Sequence, residues 1–145
     1  MKKLLIIFFL LYGQLVAFDK KSTLKIYDKI FTSMFSTNAT IYIYTTNIEY
    51  RNIFDKSFVI KPIKDIAKAD IAFVTTENEL KNVLKTNPNI AIFTTNRHFL
   101  YNCQAVIGAF YWTKGRKQLI FIKNRLDKYH LKLPQEYEKY MVDEL

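Results

Sequence analysis

Apolar positions along this chain recur with two alternating periods. Three short runs of β-branched and aromatic residues, Thr40 to Thr46 (TIYIYTT), Asp70 to Thr76 (DIAFVTT) and Asn89 to Thr95 (NIAIFTT), have the composition of strands, and each ends in Thr-Thr. Each then passes through a polar residue into a helical pattern: Asn47 into IEYRNIF, Glu77 into NELKNVL and Asn96 into RHFLYN. A hydroxyl or amide side chain at such a junction can accept the free N–H groups of the first helical turn, so these threonines and asparagines have an immediate structural use. Phe58 to Lys61 predicts a further short strand that closes at Pro62, and Ile63 to Lys68 a short helix or turn. Strands that alternate with helices in this way predict an α/β domain with a largely parallel sheet.

Two more segments complete the pattern. Upstream of the first strand, Leu24, Tyr27, Ile30, Phe31, Met34 and Phe35 recur at helical spacing after Ser22, a candidate cap, and form one apolar stripe. That stripe covers either the domain's own sheet, the ordinary arrangement, or a partner. Downstream, Ala105 to Trp112 (AVIGAFYW) and Lys117 to Lys123 (KQLIFIK) are the strongest strand pair in the chain, and Gly115 in the connecting Thr113-Lys114-Gly115-Arg116 can take the positive φ of a tight turn. The pair predicts a C-terminal β-hairpin, Ala105–Lys123, whose strands are apolar on both faces over their middles and so belong in covered, central positions. Gly108, within the first of them, predicts a bulge or a close approach by a neighbour. Asn124 is then a candidate cap for RLDKYHL, and Pro134 opens QEYEKYM as a first-turn proline.

The N-terminal stretch MKKLLIIFFLLYGQLVA follows a different logic. Lys2 and Lys3 precede an apolar run from Leu4 to Tyr12, and Leu15-Val16-Ala17 offers a small-residue exit, the order of a cleaved secretory signal. Residues 1–17 are therefore expected to be a signal peptide, and residues 18–145 a single α/β domain that is periplasmic after export. The apolar run is short of the roughly 20 residues that span a bilayer, which argues against stable membrane insertion. Loss of Lys2 and Lys3 takes the basic count from 22 to 20 against 13 acids, and the formal charge from +9 to +7. Between Lys114 and Lys132 the chain carries seven basic side chains and one acid, Asp127. In an exported protein such a block faces an anionic or acidic partner surface rather than nucleic acid, or is a solvated face. Lys114, Arg116 and Lys117, at the hairpin tip, are its candidate partner-binding residues. Cys103 is the only cysteine, so no intramolecular disulfide can form; its thiol is either buried and inert or able to cross-link a homodimer.

Signatures of catalysis are not found. Past the signal only Gly108 and Gly115 remain, too few for a phosphate-cradling loop or a dinucleotide fingerprint, which sets nucleotide enzymes aside. His98 and His130 lie far apart, without the paired His, Cys or carboxylate spacing of a metal site, and His130 sits where a helix should end. The serines lack a nucleophile elbow, Cys103 lacks an oxyanion-forming glycine turn, and Asp65/Asp70 and Glu77/Glu79 fall on turns and caps. No catalytic residue, metal ligand or cofactor is expected. The sheet does offer a crevice outside the carboxyl ends of its strands, where Thr45, Thr46, Thr75, Thr76, Thr94 and Thr95 would gather with Arg97 and His98 just beyond. Those groups would suit a small anion or polar solute, or would do no more than cap helices.

The order of elements resembles a known family. A helix, short α/β units with an Ala69-Asp70-Ile71-Ala72-Phe73-Val74 strand start, the strand Ile90 to Thr94 with Phe99 in the following loop, the glycine-containing strand Ala105-Val106-Ile107-Gly108-Ala109-Phe110, a hairpin turn and a strand ending Ile122-Lys123-Asn124 are similar to the YfiR-like family. The family's Trp-Pro is not found after Phe35, and of its cysteine positions only Cys103 is filled. GAFYWTKGRKQLIF is also similar to small exported proteins of ε-proteobacterial type. The resemblance implies a small periplasmic regulator without catalytic activity, which restrains or tunes a membrane-bound sensor such as a diguanylate cyclase and so cyclic-di-GMP signalling. Its partner would then be the periplasmic part of an inner-membrane sensor. The alternative is a small solute-binding domain that uses the threonine-lined crevice.

Fractionated cells are expected to hold a soluble periplasmic species whose N-terminus, read by mass spectrometry, lies at or near Phe18. Recovery of the uncleaved chain from the inner membrane would overturn the signal assignment.

Overall fold

The computed structural model describes residues 20–36 and 39–145; the expected signal segment and the cleavage point before Phe18 lie outside the described residues. Residues 20–35 are helical (α1). There follow β1 (Ile41–Tyr44), α2 (Ile48–Phe54), β2 (Ile60–Ile63), a 3-10 turn at Ile66–Lys68, β3 (Ile71–Val74), α3 (Glu77–Thr86), β4 (Ile92–Thr94), α4 (His98–Asn102), β5 (Val106–Thr113), β6 (Arg116–Ile122), α5 (Lys123–Lys128), a 3-10 helix at Gln135–Tyr140, and β7 (Met141–Val142). The strands form one seven-stranded sheet in the order β2-β1-β3-β4-β5-β6-β7. β1 to β5 run parallel, β6 runs antiparallel to β5, and β7 runs alongside β6 in its direction. This is the predicted α/β domain with a mostly parallel sheet and a C-terminal antiparallel pair. Its first five strands have the order of a doubly wound sheet. Among the described residues no helix is long and apolar enough to cross a membrane.

Strand alternation divides the core in two. Ile41, Ile43, Ile71, Phe73, Phe93 and Phe121 face α1, α2 and the C-terminal 3-10 helix, while Ala72, Val74, Ile92, Val106, Ala109 and Ile122 face α3 and α4. β5 runs straight into a hairpin and leads to no crossover helix, so the centre of the first face needs cover from elsewhere. The apolar stripe of α1 supplies it: Tyr27, Ile30, Phe31 and Met34 are all buried against the domain's own sheet. Tyr27 stands edge-on to Tyr50, Phe54, Phe73, Phe93 and Phe110, with ring centroids 5.4 to 6.1 Å away. Ser22 lies within this helix, already formed at residue 20, rather than at its cap.

Other local expectations shift for identifiable reasons. β2 continues through Pro62, paired with Ile43, because it is an edge strand with one side free of ladder bonds. The register between β4 and β5 skips Ile107, so that Phe93 faces Gly108: this is the predicted bulge. A Cβ on Gly108 would lie 2.7 Å from Phe121 Cδ1 and 2.9 Å from the Ile120 carbonyl oxygen, so the predicted close approach is present as well. The hairpin turn has Lys114 at φ 50° and Gly115 at φ 74°, the two positive φ values of a type I′ turn. Only the base of the hairpin is covered on both faces; the expectation of central, covered strands fails toward the tip, where Trp112 and residues 114–118 are exposed. α5 begins at Lys123 with no side-chain cap, so Asn124 lies in the first turn and does not cap it.

Replacing Tyr27 with Ala should cost about 3–5 kcal/mol, a large part of a small domain's stability. Tyr27→Phe should shift the urea midpoint far less than Tyr27→Ala, because it keeps the ring and removes only a buried hydroxyl that lies beside Tyr50. A Tyr27→Ala variant that melts with wild type would show that α1 does not seal the sheet.

Candidate functional site

The carboxyl ends of the parallel strands lie along one edge of the sheet, and the chain turns opposite ways after β1 and β3, which places the usual ligand crevice between them. That crevice is occupied by the protein's own side chains. The Asn47 amide donates across it to Thr75 Oγ1 at 3.0 Å, and its Oδ1 accepts the Tyr50 N–H to cap α2. Glu79 accepts the Thr75 N–H at 2.8 Å and the Thr75 hydroxyl at 3.1 Å. Thr76 Oγ1 accepts the Glu79 N–H at 3.2 Å, so the pair forms a capping box displaced by one residue. A carboxylate already holds the place an anion would take at the start of α3.

The remaining threonines divide by burial. Thr45 and Thr94 are buried, and each hydroxyl oxygen accepts the N–H two residues on, from Asn47 at 3.2 Å and Asn96 at 3.0 Å. Thr94 also donates to the Val74 carbonyl at 2.8 Å, tying β4 to β3. Thr46 is exposed beside them. Thr95, Arg97 and His98 meet a different partner: with Thr75, Asn96 and the hairpin residues Tyr111, Trp112 and Thr113 they line an open depression of about 450 Å³. A second depression, of about 400 Å³ between α5 and the C-terminal 3-10 helix, is lined by none of the predicted site residues. Asn96 Oδ1 accepts the His98 N–H at 3.0 Å and so starts α4. Asp65 and Asp70 also have structural roles, accepting the N–H groups of Ala67 and Tyr42.

The hairpin is the prominent exposed feature of this edge. β4 pairs with β5 no further than Ala109, and β7 pairs only with Phe121 and Ile122, so the ribbon from Phe110 to Ile120 projects past both neighbours. Trp112 is 52% exposed, and the Lys117 ammonium lies over its ring, 5.4 Å from the centroid. The Arg97 guanidinium lies 5.7 Å from the Tyr111 centroid and 3.5 Å from the Tyr101 hydroxyl. That hydrogen bond from Arg97 to Tyr101 holds the guanidinium pKa above its usual value. Cations stacked on aromatic rings, with Lys114 and Arg116 adjacent, make a surface suited to acidic and apolar groups together.

Not all of the basic block belongs to that surface. Arg125 is 6% exposed and donates to the carbonyls of Leu100 at 2.8 Å, Cys103 at 3.1 Å and Val106 at 3.0 Å, and to Glu144 at 2.7 Å. It stitches the loop after α4, the start of β5 and the C-terminal tail to α5. A sequence signal for it exists, since Arg125 sits between Ile122, Leu126 and Tyr129 on the apolar stripe of its helix. Cys103 is half-buried within this knot. His130, at φ 56°, is exposed just past the end of α5, where the sequence placed it. Among the described residues no group of His, Cys, Asp or Glu is arranged to hold a metal ion. No protein-family model matches the chain, and no curated protein matches it significantly.

Arg125→Ala should lower stability by about 3 kcal/mol, as it strips several carbonyl oxygens and Glu144 of a buried cationic partner. The Arg125 guanidinium, and then the Leu145 N–H, hold the Glu144 carboxyl below its ordinary range. The lowered folded-state value means this contribution is whole above the unfolded glutamate pKa and fades as pH falls through the folded one. Melts taken from neutral pH into acid should therefore show a flatter acid limb in Glu144→Gln than in wild type. An unchanged limb would refute the ion pair.

Proposed function

We propose that the protein is a non-catalytic periplasmic binding module that tunes a membrane-bound sensor, such as a diguanylate cyclase, through the tip of its β-hairpin. The observation that carries this reading is the projecting ribbon with Trp112, Lys114, Arg116 and Lys117 exposed on a domain whose strand-end crevice is closed by Asn47, Thr75 and Glu79. A ribbon held at its base by a buried core and free at its tip can reach a partner with little rearrangement. The order of elements, similar to the YfiR-like family, supplies the class of partner: the periplasmic part of an inner-membrane sensor.

A second reading is favoured by the open depression lined by Thr75, Thr95, Asn96, Arg97, His98, Tyr111, Trp112 and Thr113, which could hold a small polar solute. One experiment separates the two. Deletion of the protein should change cyclic-di-GMP or another sensor output, and the change should vanish when the sensor is deleted too. Lys114→Glu with Arg116→Glu should reproduce the deletion while the protein still melts normally, because reversed charge at a rim slows association. Thr75→Ala with Thr95→Ala should leave the output intact. If the threonine variant alone loses function, the solute reading takes its place; if no sensor output responds to deletion, the regulator reading is wrong.

A further inference from the structure

We infer that the outer edge of β6 receives an acidic, extended segment of the partner protein as an added strand. The inference rests on the hairpin reading above and names the partner's chemistry. In an antiparallel pair, residues that exchange both backbone bonds alternate with residues that exchange none. The two-residue turn makes Thr113 and Arg116 the first bonded pair, so Gln118 and Ile120 also bond inward to β5, whereas Lys117, Leu119 and Phe121 turn their N–H and C=O groups outward. β7 takes up the outward side of Phe121 and Ile122 only. The outward groups of Lys117 and Leu119 meet no other strand among the described residues, which leaves a short ladder ready for one more chain.

Charge decides between occupants. From Thr113 to Lys123 the chain has four basic residues, Lys114, Arg116, Lys117 and Lys123, and no acid. Pairing with a second copy would bring two such sets together in one small sheet, and edge lysines are a recognised device against self-pairing. An acidic strand meets no such repulsion. The side chains give its pattern. Lys117 and Leu119 stand on the same face of the ribbon, and beside Leu119 a shallow depression of about 220 Å³ is lined by Ile26, Ile30, Tyr137 and Tyr140, with the charged Lys29, Glu136 and Lys139. A segment with Glu or Asp opposite Lys117 and an apolar residue two positions away, opposite Leu119, would satisfy both. Trp112, directly across the ribbon from Lys117, adds an exposed aromatic surface at the same place.

The test uses a fluorescent nonapeptide of alternating glutamate and valine, with an alternating lysine and valine peptide as control. Anisotropy should show binding of the acidic peptide only. Amide hydrogen exchange should slow at Lys117 and Leu119 on binding, while Gln118, already bonded to β5, changes little. Lys117→Gln should weaken binding several-fold. Lys117→Pro should abolish it: proline removes the outward N–H without touching the ladder to β5, so the melting midpoint should stay near that of Lys117→Gln. The proposal is overturned if the two Lys117 variants bind alike, if the acidic peptide binds without protecting the two amides, if it does not bind, or if the protein dimerises through this edge on its own. A Lys117→Pro protein that still regulates the sensor in cells would sink the added strand and leave the hairpin reading standing. A deletion without any signalling effect would sink the hairpin reading.

Discussion

The packing of Tyr27 against the sheet is the contact on which the architecture depends. A parallel sheet must be covered on both faces, and helices between successive strands normally do this. Here the second face is covered in that way, by α3 and α4, but the first is not, because β5 continues into β6 instead of crossing over. The open centre of the first face is a floor of aromatic rings, Phe73, Phe93 and Phe110, and Tyr27 presents its ring edge to the three of them. Burial, and then the adjacent Tyr50, push the Tyr27 phenol well above its usual pKa, so it is neutral throughout the physiological range. One helix thereby frees the end of β5 to run on into the projecting hairpin.

Two polar constructions fasten opposite edges of the sheet. The Asn47, Thr75 and Glu79 bonds close the junction between β1 and β3, and the Arg125 bonds fasten the start of β5 to the helix that follows β6. The base of the hairpin is thereby tied through Arg125 of α5 to the Leu100, Cys103 and Val106 carbonyls at the end of α4 and the start of β5. Rigidity at the base and exposure at the tip suit a module that binds by presenting a preformed surface, since less ordering entropy is lost on contact.

Most of the fold was legible because its signals are local. Strand composition, Thr-Thr ends and asparagine caps placed β1, β3, β4 and the helices after them, and Gly115 located the hairpin turn. What escaped was set by contacts distant in sequence. β7 is a two-residue strand with no pattern of its own, defined by Phe121 and Ile122 alone. The exposure of the hairpin tip could not be read from AVIGAFYW, whose apolar run matches that of a buried strand; it follows from how short β4 and β7 are beside it. The threonine positions were visible but their engagement was not, because Thr75 receives the Asn47 amide from the end of β1 and Thr94 donates to a carbonyl on the neighbouring strand. Arg125, counted with the basic block, turned inward for the same reason.

The place of α1 in the chain has a kinetic consequence. Tyr27 precedes every strand of the sheet, yet its ring lies against residues as far along as Phe110. The helix cannot reach its native environment until β3, β4 and β5 are all in place, so the contacts that complete the first face close the longest loops in the domain. Loop closure of that kind slows folding, since entropy is lost before the contacts that compensate it have formed. A chain of this design stays open, with its amphipathic helix unsatisfied, until its last third has been delivered. The same delay leaves the apolar stripe of this helix uncovered longer than the strands it will seal, which makes it the segment most open to aggregation or chaperone binding before the fold closes.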